Sequence, residues 1–379
     1  MDAAELRPTF GSTRALVALL AFVLGFATVP HRVCERDAAR WFDGDPSRTD
    51  ALANGVARWT AQEIEPSGFH IGEARFDGEW LFVTYAMAAL GFGQLALDRE
   101  DIKPASLVRM EHCLDVLLDA RLRTFDRAAW GGEDALDDAV LASDAGHIGV
   151  LGYVGLALAL HRQLRPESRF AARETAVIAA IERRFAGDHA ELVPSFPGQI
   201  YPADNAAALA ALAVHGRSAH LHDGLAAVRR AIDPQTGLLL QTLRGRARAS
   251  GTALAAYFLA FADPALSRLL FRALEARQFR TVLGFGGMLE VPVGTRPAAL
   301  FDGTGPVVLG FGVAATGFAI GAARALRDRE HFAALCATAH LFGGPLDEDG
   351  VRTYALGGPL GDAVLFAMLT APRAGRFAP

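Results

Sequence analysis

The feature that most restricts this chain is a regular alternation of two kinds of helical segment from about residue 49 to its end. One kind is apolar on every side and rich in Gly and Ala, while the other carries apolar residues on one face only. The apolar segments are predicted to begin near Trp80, His147, Asp204, Ser250, Pro306 and Gly361, with Gly, Pro and Asp between them in cap and turn positions. Amphipathic segments are predicted at 105–121, 168–186, 219–232, 265–279 and 329–341, so the last apolar helix has no successor. A helix capped by Thr49 or Asp50 and running through Ala51, Val56, Trp59 and Ile64 stands unpaired at the front.

A repeat of roughly fifty-five residues is a helical hairpin that buries its apolar face only by stacking on its neighbours. Six apolar helices inside, six amphipathic helices outside and the first segment closing on the last give an all-α fold, an (α/α)6 toroid. An open solenoid is the competing arrangement. Gly310, Gly312, Gly317 and Gly321 are read as close-packing positions within the fifth inner helix, since Gly inside a helix costs up to about 1 kcal/mol relative to Ala. Inner-to-outer links are short, at 165–167 and 263–264. Outer-to-inner links are long and polar, at 123–146, 187–203, 234–249, 280–305 and 342–360. In a toroid the long set gathers on one face, above the N-termini of the inner helices, where positive helix ends favour anionic or polar ligand groups.

Ahead of this region, residues 15–29 form an uninterrupted apolar run preceded by Arg7 and Arg14 and ended by Pro30. Its length lies between a signal-peptide core and the roughly twenty residues of a membrane span. Residues 1–30 are therefore read as a signal peptide or uncleaved anchor, 31–48 as a linker, 49–372 as the toroid and 373–379 as a tail. The expected location is exported or membrane-anchored; a buried N-terminal helix of a cytoplasmic protein is the alternative. Two more uncharged stretches, 81–97 and 306–323, are assigned to the ring interior because amphipathic segments follow each of them.

Composition narrows the function by exclusion. With 51% hydrophobic and 21% charged residues the chain is not disordered, and 37 basic against 42 acidic residues, interspersed, argue against a nucleic-acid groove. Cys34, Cys113 and Cys336 are too dispersed for a disulfide framework or a cysteine-rich zinc site. His215, His220 and His222 cluster at the short-link end with only Asp223 as a carboxylate, so no metal is expected. Neither a phosphate-cradling Gly loop with its Lys nor a Gly-x-Ser-x-Gly elbow is present, and no cofactor is expected.

Candidate site residues lie in the long links. The segment Pro194-Ser-Phe-Pro-Gly-Gln-Ile-Tyr-Pro-Ala-Asp-Asn205 brings Tyr201 and Asp204 to the third inner helix, where Asp204 is either an N-cap or a catalytic carboxylate. Asp302-Gly-Thr-Gly-Pro306 leads into the fifth, making Asp302 a turn residue or a second cavity carboxylate. Glu290 lies in a short predicted strand and points either to solvent or to a ligand. Trp130, with Glu133 and Asp134 behind it, precedes His147 and Tyr153; an aromatic face beside carboxylates suits a sugar ring, while a solvated acidic turn and a packed His147 are the plainer readings. Arg244, Arg246 and Arg248 alternate in a predicted extended stretch, where a solvated basic edge is the plainer reading and one or two of them, Arg248 among them, binding a carboxylate or phosphate is the other.

The hairpin count, with the Tyr201-Pro-Ala-Asp204-Asn205 and Asp302-Gly-Thr-Gly-Pro306 loops, resembles the six-hairpin toroid superfamily of glycoside hydrolases, polysaccharide lyases and epimerases. Similar toroids occur in the linalool dehydratase/isomerase family. The resemblance is architectural and covers about residues 49–372. It implies a carbohydrate-active enzyme acting on a small molecule or oligosaccharide with carboxylates on the long-loop face. The expected pair is Asp204 and Asp302, with Glu133 and Glu290 in reserve and Trp130 and Tyr201 stacking on substrate. Lyase chemistry on a hydrophobic alcohol and a non-catalytic binding module are the alternatives.

Overall fold

Apolar and amphipathic segments become the inside and outside of one all-α structure. The computed structural model describes residues 10–62, 64, 74–186, 191–216, 219–294 and 305–377. Its helices are α1 (Phe10–Phe42), α2 (Pro46–Thr60), α3 (Ala74–Asp98), α4 (Lys103–Leu118), α5 (Thr124–Ala129), α6 (Asp138–Leu141), α7 (Ile148–Leu164) and α8 (Ala171–Phe185). There follow α9 (Pro202–His215), α10 (Leu221–Arg230), α11 (Ala249–Ala262), α12 (Pro264–Arg277), α13 (Val313–Ala325), α14 (Arg329–Gly343) and α15 (Gly358–Leu369). Among the described residues, three antiparallel hairpins interrupt them: β1–β2 (Phe279–Val282, Phe285–Met288), β3–β4 (Val307–Val308, Phe311–Gly312) and β5–β6 (Pro345–Glu348, Val351–Tyr354).

The apolar helices pack in cyclic order. Helix α3 lies on α7, α7 on α9, α9 on α11, α11 on α13 and α13 on α15, and α15 returns to α3. Helices α4, α8, α10, α12 and α14 pack outside, and α2 fills the remaining outer place against α15 and α3. Close approach needs small residues: a Cβ at Gly152 of α7 would come within 2.8 Å of the Ala208 backbone nitrogen in α9. Across the ring, Gln94 of α3 donates to the Tyr257 hydroxyl of α11 at 2.8 Å, and both side chains are wholly buried. That bond closes the ring's centre toward the C-terminal ends of the inner helices.

Local chemistry explains where the outer helices start. Asp45 accepts from Ser47 N with Pro46 behind it, Asp263 accepts from Ala265 N and Leu266 N ahead of Pro264, and Asp328 accepts from His331 N. The front helix thus begins at Pro46, a turn before the expected Thr49 or Asp50. The fifth inner helix begins later than Pro306, at Val313, because 307–312 pair as β3–β4. Gly310 and Gly312 consequently belong to the hairpin, while Gly317 and Gly321 lie in the helix as expected.

The N-terminal segment also departs from expectation. Residues 31–42, read as part of a linker, continue α1 and pack along α14. A buried Asp37 fixes them there, with Arg48 at 2.7 Å, Trp41 Nε1 at 3.2 Å, His340 at 3.4 Å and Arg352 at 3.5 Å. Residues 373–377, read as tail, dock on the ring: Phe377 stacks on Phe261 and Gly375 N donates to Ala260 O. Among residues whose side chains are described, one helix, Asp77–Asp98, is long and apolar enough to cross a membrane, and 83% of that stretch is buried in the ring.

Candidate active site

The long connections meet one another around the N-terminal ends of the inner helices. Trp130 Nε1 reaches Ser195 O at 3.4 Å, Ile148 N donates to Pro194 O, Leu243 N to Ile200 O, and Ala249 N to Glu290 O. Inside this rim, three neighbouring inner helices each keep one accessible residue near their start. In α9 every residue is buried except Asp204 and the terminal His215, and in α11 every residue except Leu254. In α7 the exceptions are Gly149 and the last three residues. Facing them, Glu79, Trp80 and Val83 of α3 are also partly accessible. These half-buried positions lie toward one end of the ring, above the Gln94–Tyr257 bond, and the space they border is the candidate hollow, with Asp204 on its wall.

Asp204 is placed by Pro202, which starts α9, and by Asn205, whose side chain ties Val193 N and O and Tyr201 O. Its Oδ2 leans on Gly149, where a Cβ would stand 3.3 Å away. Burial pushes the Asp204 carboxyl up to about 6, and the neighbouring Ser195 hydroxyl, which faces it without closing a bond of normal geometry, moderates the rise. One helical turn below Gly149 is Tyr153. Burial, then the charges of Asp204 and Glu79, hold its phenol well above the ordinary tyrosine range. Tyr153 therefore stays protonated between two carboxyl groups, ringed by Phe82 at 6.3 Å and Phe258 at 5.2 Å.

The remaining predicted residues are distributed as follows. Tyr201 is half-buried at the rim, edge-on to Phe196, with its hydroxyl 3.4 Å from Gln199 Oε1. Trp130 stacks on His147 at 4.3 Å between ring centres. His147 is wholly buried in the left-handed region, and its Nδ1 meets Asp126 Oδ2 at 2.7 Å, so it clamps the rim rather than facing the hollow. Glu133 is exposed, and its neighbour Asp134 is buried in a two-pronged pair with Arg123. Glu290 is buried, not solvent-facing: Oε1 accepts from Ser250 Oγ at 2.6 Å, and Oε2 fills the space over Gly312. Arg248 precedes α11, while Arg244 and Arg246 lie about an exposed turn rather than along a strand. Asp302 lies outside the described residues.

The sequence reading missed Glu79 and Ser195. Glu79 carries the same signal as Asp204, an acidic residue beside the predicted start of an apolar helix. Away from the hollow, Glu275, Asp328 and His331 bring three ligand atoms within 4.8 Å of one another between α12 and α14. Asp328 also caps α14, and with Asp328 beside it the Glu275 carboxyl is driven up to about 7, chiefly by burial.

No protein-family profile matches the chain, and no curated protein matches it. Among solved structures, one match is described as a polysaccharide lyase, at 12% identity and a TM-score of 0.36, covering 70% of this chain and 92% of that one. So loose a likeness leaves the site to be read from its own geometry.

Proposed function

We propose that the hollow is an enzyme active site for general acid–base cleavage of a carbon–oxygen bond, with a carbohydrate as substrate. The observation that carries this reading is Asp204: a half-buried aspartate on an otherwise buried helix, its carboxyl raised to about 6 by burial, beside a protonated tyrosine and a second carboxylate. A group near the working pH can both hold and release a proton. Asp204 donates to the leaving oxygen, Tyr153 hydrogen-bonds the oxygen as charge develops, and Glu79 takes the proton from water or from the substrate carbon. Hydrolysis and elimination use the same parts and differ in which proton Glu79 removes. Tyr201, at the rim, offers a stacking face.

A second substrate class, a hydrophobic alcohol, is favoured by the walls: Phe82 and Phe258 enclose Tyr153 and Leu254 is the accessible residue of α11. Melting temperature measured against a panel of oligosaccharides and terpenoid alcohols separates the two, because a ligand that binds only the native state raises it. Stabilisation by sugars that Asp204→Asn and Tyr153→Phe abolish is the expected result. Stabilisation by alcohols alone replaces the substrate class, and turnover that survives Asp204→Asn removes the mechanism.

A further inference from the structure

We propose that the rim face of the ring, the face on which the hollow opens, rests on a lipid bilayer that α1 enters. Helix α1 runs antiparallel to α14: Phe42 meets Phe332 near the start of α14, and Asp37 meets His340 near its end. Followed back toward its N-terminus, α1 therefore passes the C-terminal end of α14, which is rim level, and at His31 touches the β1–β2 hairpin through Phe285, 5.6 Å away. The fifteen apolar residues 15–29, with Arg14 at their far end, continue beyond that level, a rise of about 22 Å that takes the helix well into a bilayer's hydrocarbon core of about 30 Å. Val17, Ala18, Leu19 and Ala21 are exposed although they point to more than half of the helix circumference, as suits a helix surrounded by lipid rather than one packed on protein.

The rim itself supplies an independent observation. Among the described residues, the exposed large apolar side chains outside α1 all lie in the long connections or at the helix ends that meet them, except Val108 and Leu269. Four of them, Val282, Leu283, Val308 and Leu309, belong to a repeated pentapeptide, Val-Leu-Gly-Phe-Gly, at 282–286 and again at 308–312. Each copy forms a two-residue hairpin turn with Leu then Gly at positive φ, 52° and 87° at Leu283 and Gly284, 51° and 84° at Leu309 and Gly310. Such turns ordinarily carry Asn or Asp first, because a branched side chain is strained there. The third hairpin follows that rule with Asp349-Gly350, at 49° and 75°. Leucines 63% and 91% exposed, held in a strained turn, contribute nothing to the core and are accounted for by an apolar phase outside the protein. With α1 entering that phase from the same face, the occupant is lipid, and substrate reaches the hollow from the membrane side. This does not depend on the acid–base reading of Asp204.

The test uses the full chain reconstituted in phosphatidylcholine–phosphatidylglycerol vesicles. The native cysteines are buried, so Leu283→Cys, Leu309→Cys and, on the opposite face, Glu167→Cys each add the one reactive thiol for an environment-sensitive nitrobenzoxadiazole label. The expected result is blue-shifted emission quenched by brominated lipid at 283 and 309, with water-like, unquenched emission at 167. Leu356→Cys, on the rim without a positive φ, gives the same read-out should a turn variant fail to fold. Water-like emission at the rim positions overturns the proposal, as does a blue shift that follows protein concentration and ignores brominated lipid, which would mark a second copy of the chain.

Discussion

Asp204 sits in the first turn of α9, where an acidic residue is ordinarily a cap or a partner for the helix dipole. Here no capping hydrogen bond from a backbone N–H to its carboxylate is present, the cap position being Tyr201, and the carboxyl instead shares a desolvated space with Tyr153. Asp362 of α15 is raised to about 6 as well, mainly by burial, although it accepts from Trp59 Nε1 at 2.8 Å and Tyr354 N at 3.0 Å. Both groups bind their proton more tightly in the native state than in the unfolded chain. Their contribution is fully present below the ordinary aspartate range near pH 4 and is lost as pH rises to about 6. Urea midpoints measured between pH 4 and 7 should show this decline, and Asp204→Asn should reduce its slope; an unaltered slope would deny the shift. At this scale the sequence was least legible. Residue type marks a carboxylate at a helix start but not whether helix packing leaves it water, and the difference between Asp204, in the wall, and Glu290, locked under Gly312 and Ser250, is decided by residues far away in the chain.

At the scale of elements, period and caps located the helices well, because apolar repetition and capping are local signals. What they did not locate were the hairpins. The segment 306–312 was read as helix since Val, Leu, Gly and Phe satisfy either pattern over so short a run, and only pairing with β4 and the Leu309–Gly310 turn settles the choice. The lower half of α1 was hidden for a similar reason: Cys34, Asp37, Arg40 and Trp41 look like a polar connection until Asp37 is seen facing Arg48, Arg352 and His340 from three different elements. Asp37→Ala leaves the buried Arg352 with only Asp347 and should destabilise the protein by about 3 to 5 kcal/mol. Hydrogen exchange should then rise in residues 31–42 before it rises in the inner helices. Exchange that rises uniformly would mean that the cluster does not hold α1 separately.

For the whole molecule, cyclic packing has a thermodynamic consequence. An open stack of hairpins frays from its ends, whereas a ring in which α15 lies on α3 has no end from which to begin. Unfolding followed by far-ultraviolet circular dichroism, tryptophan fluorescence and near-ultraviolet circular dichroism should give one coincident transition; separated transitions would indicate independently melting hairpins. The repeat arithmetic leads to an all-α chain of alternating apolar and amphipathic helices, which the structure has. The ring also creates the desolvation that raises Asp204, so a single carboxyl reports on fold and function together. The most direct test is a carbon-13 titration of aspartate side-chain carboxyls in the native protein, assigned by comparison with Asp204→Asn. A resonance that titrates at about 6 and disappears in the variant is the predicted result. An Asp204 that titrates in the ordinary range near 4 would contradict the account, because a carboxyl so readily ionised could not hold the proton on which the proposed chemistry depends.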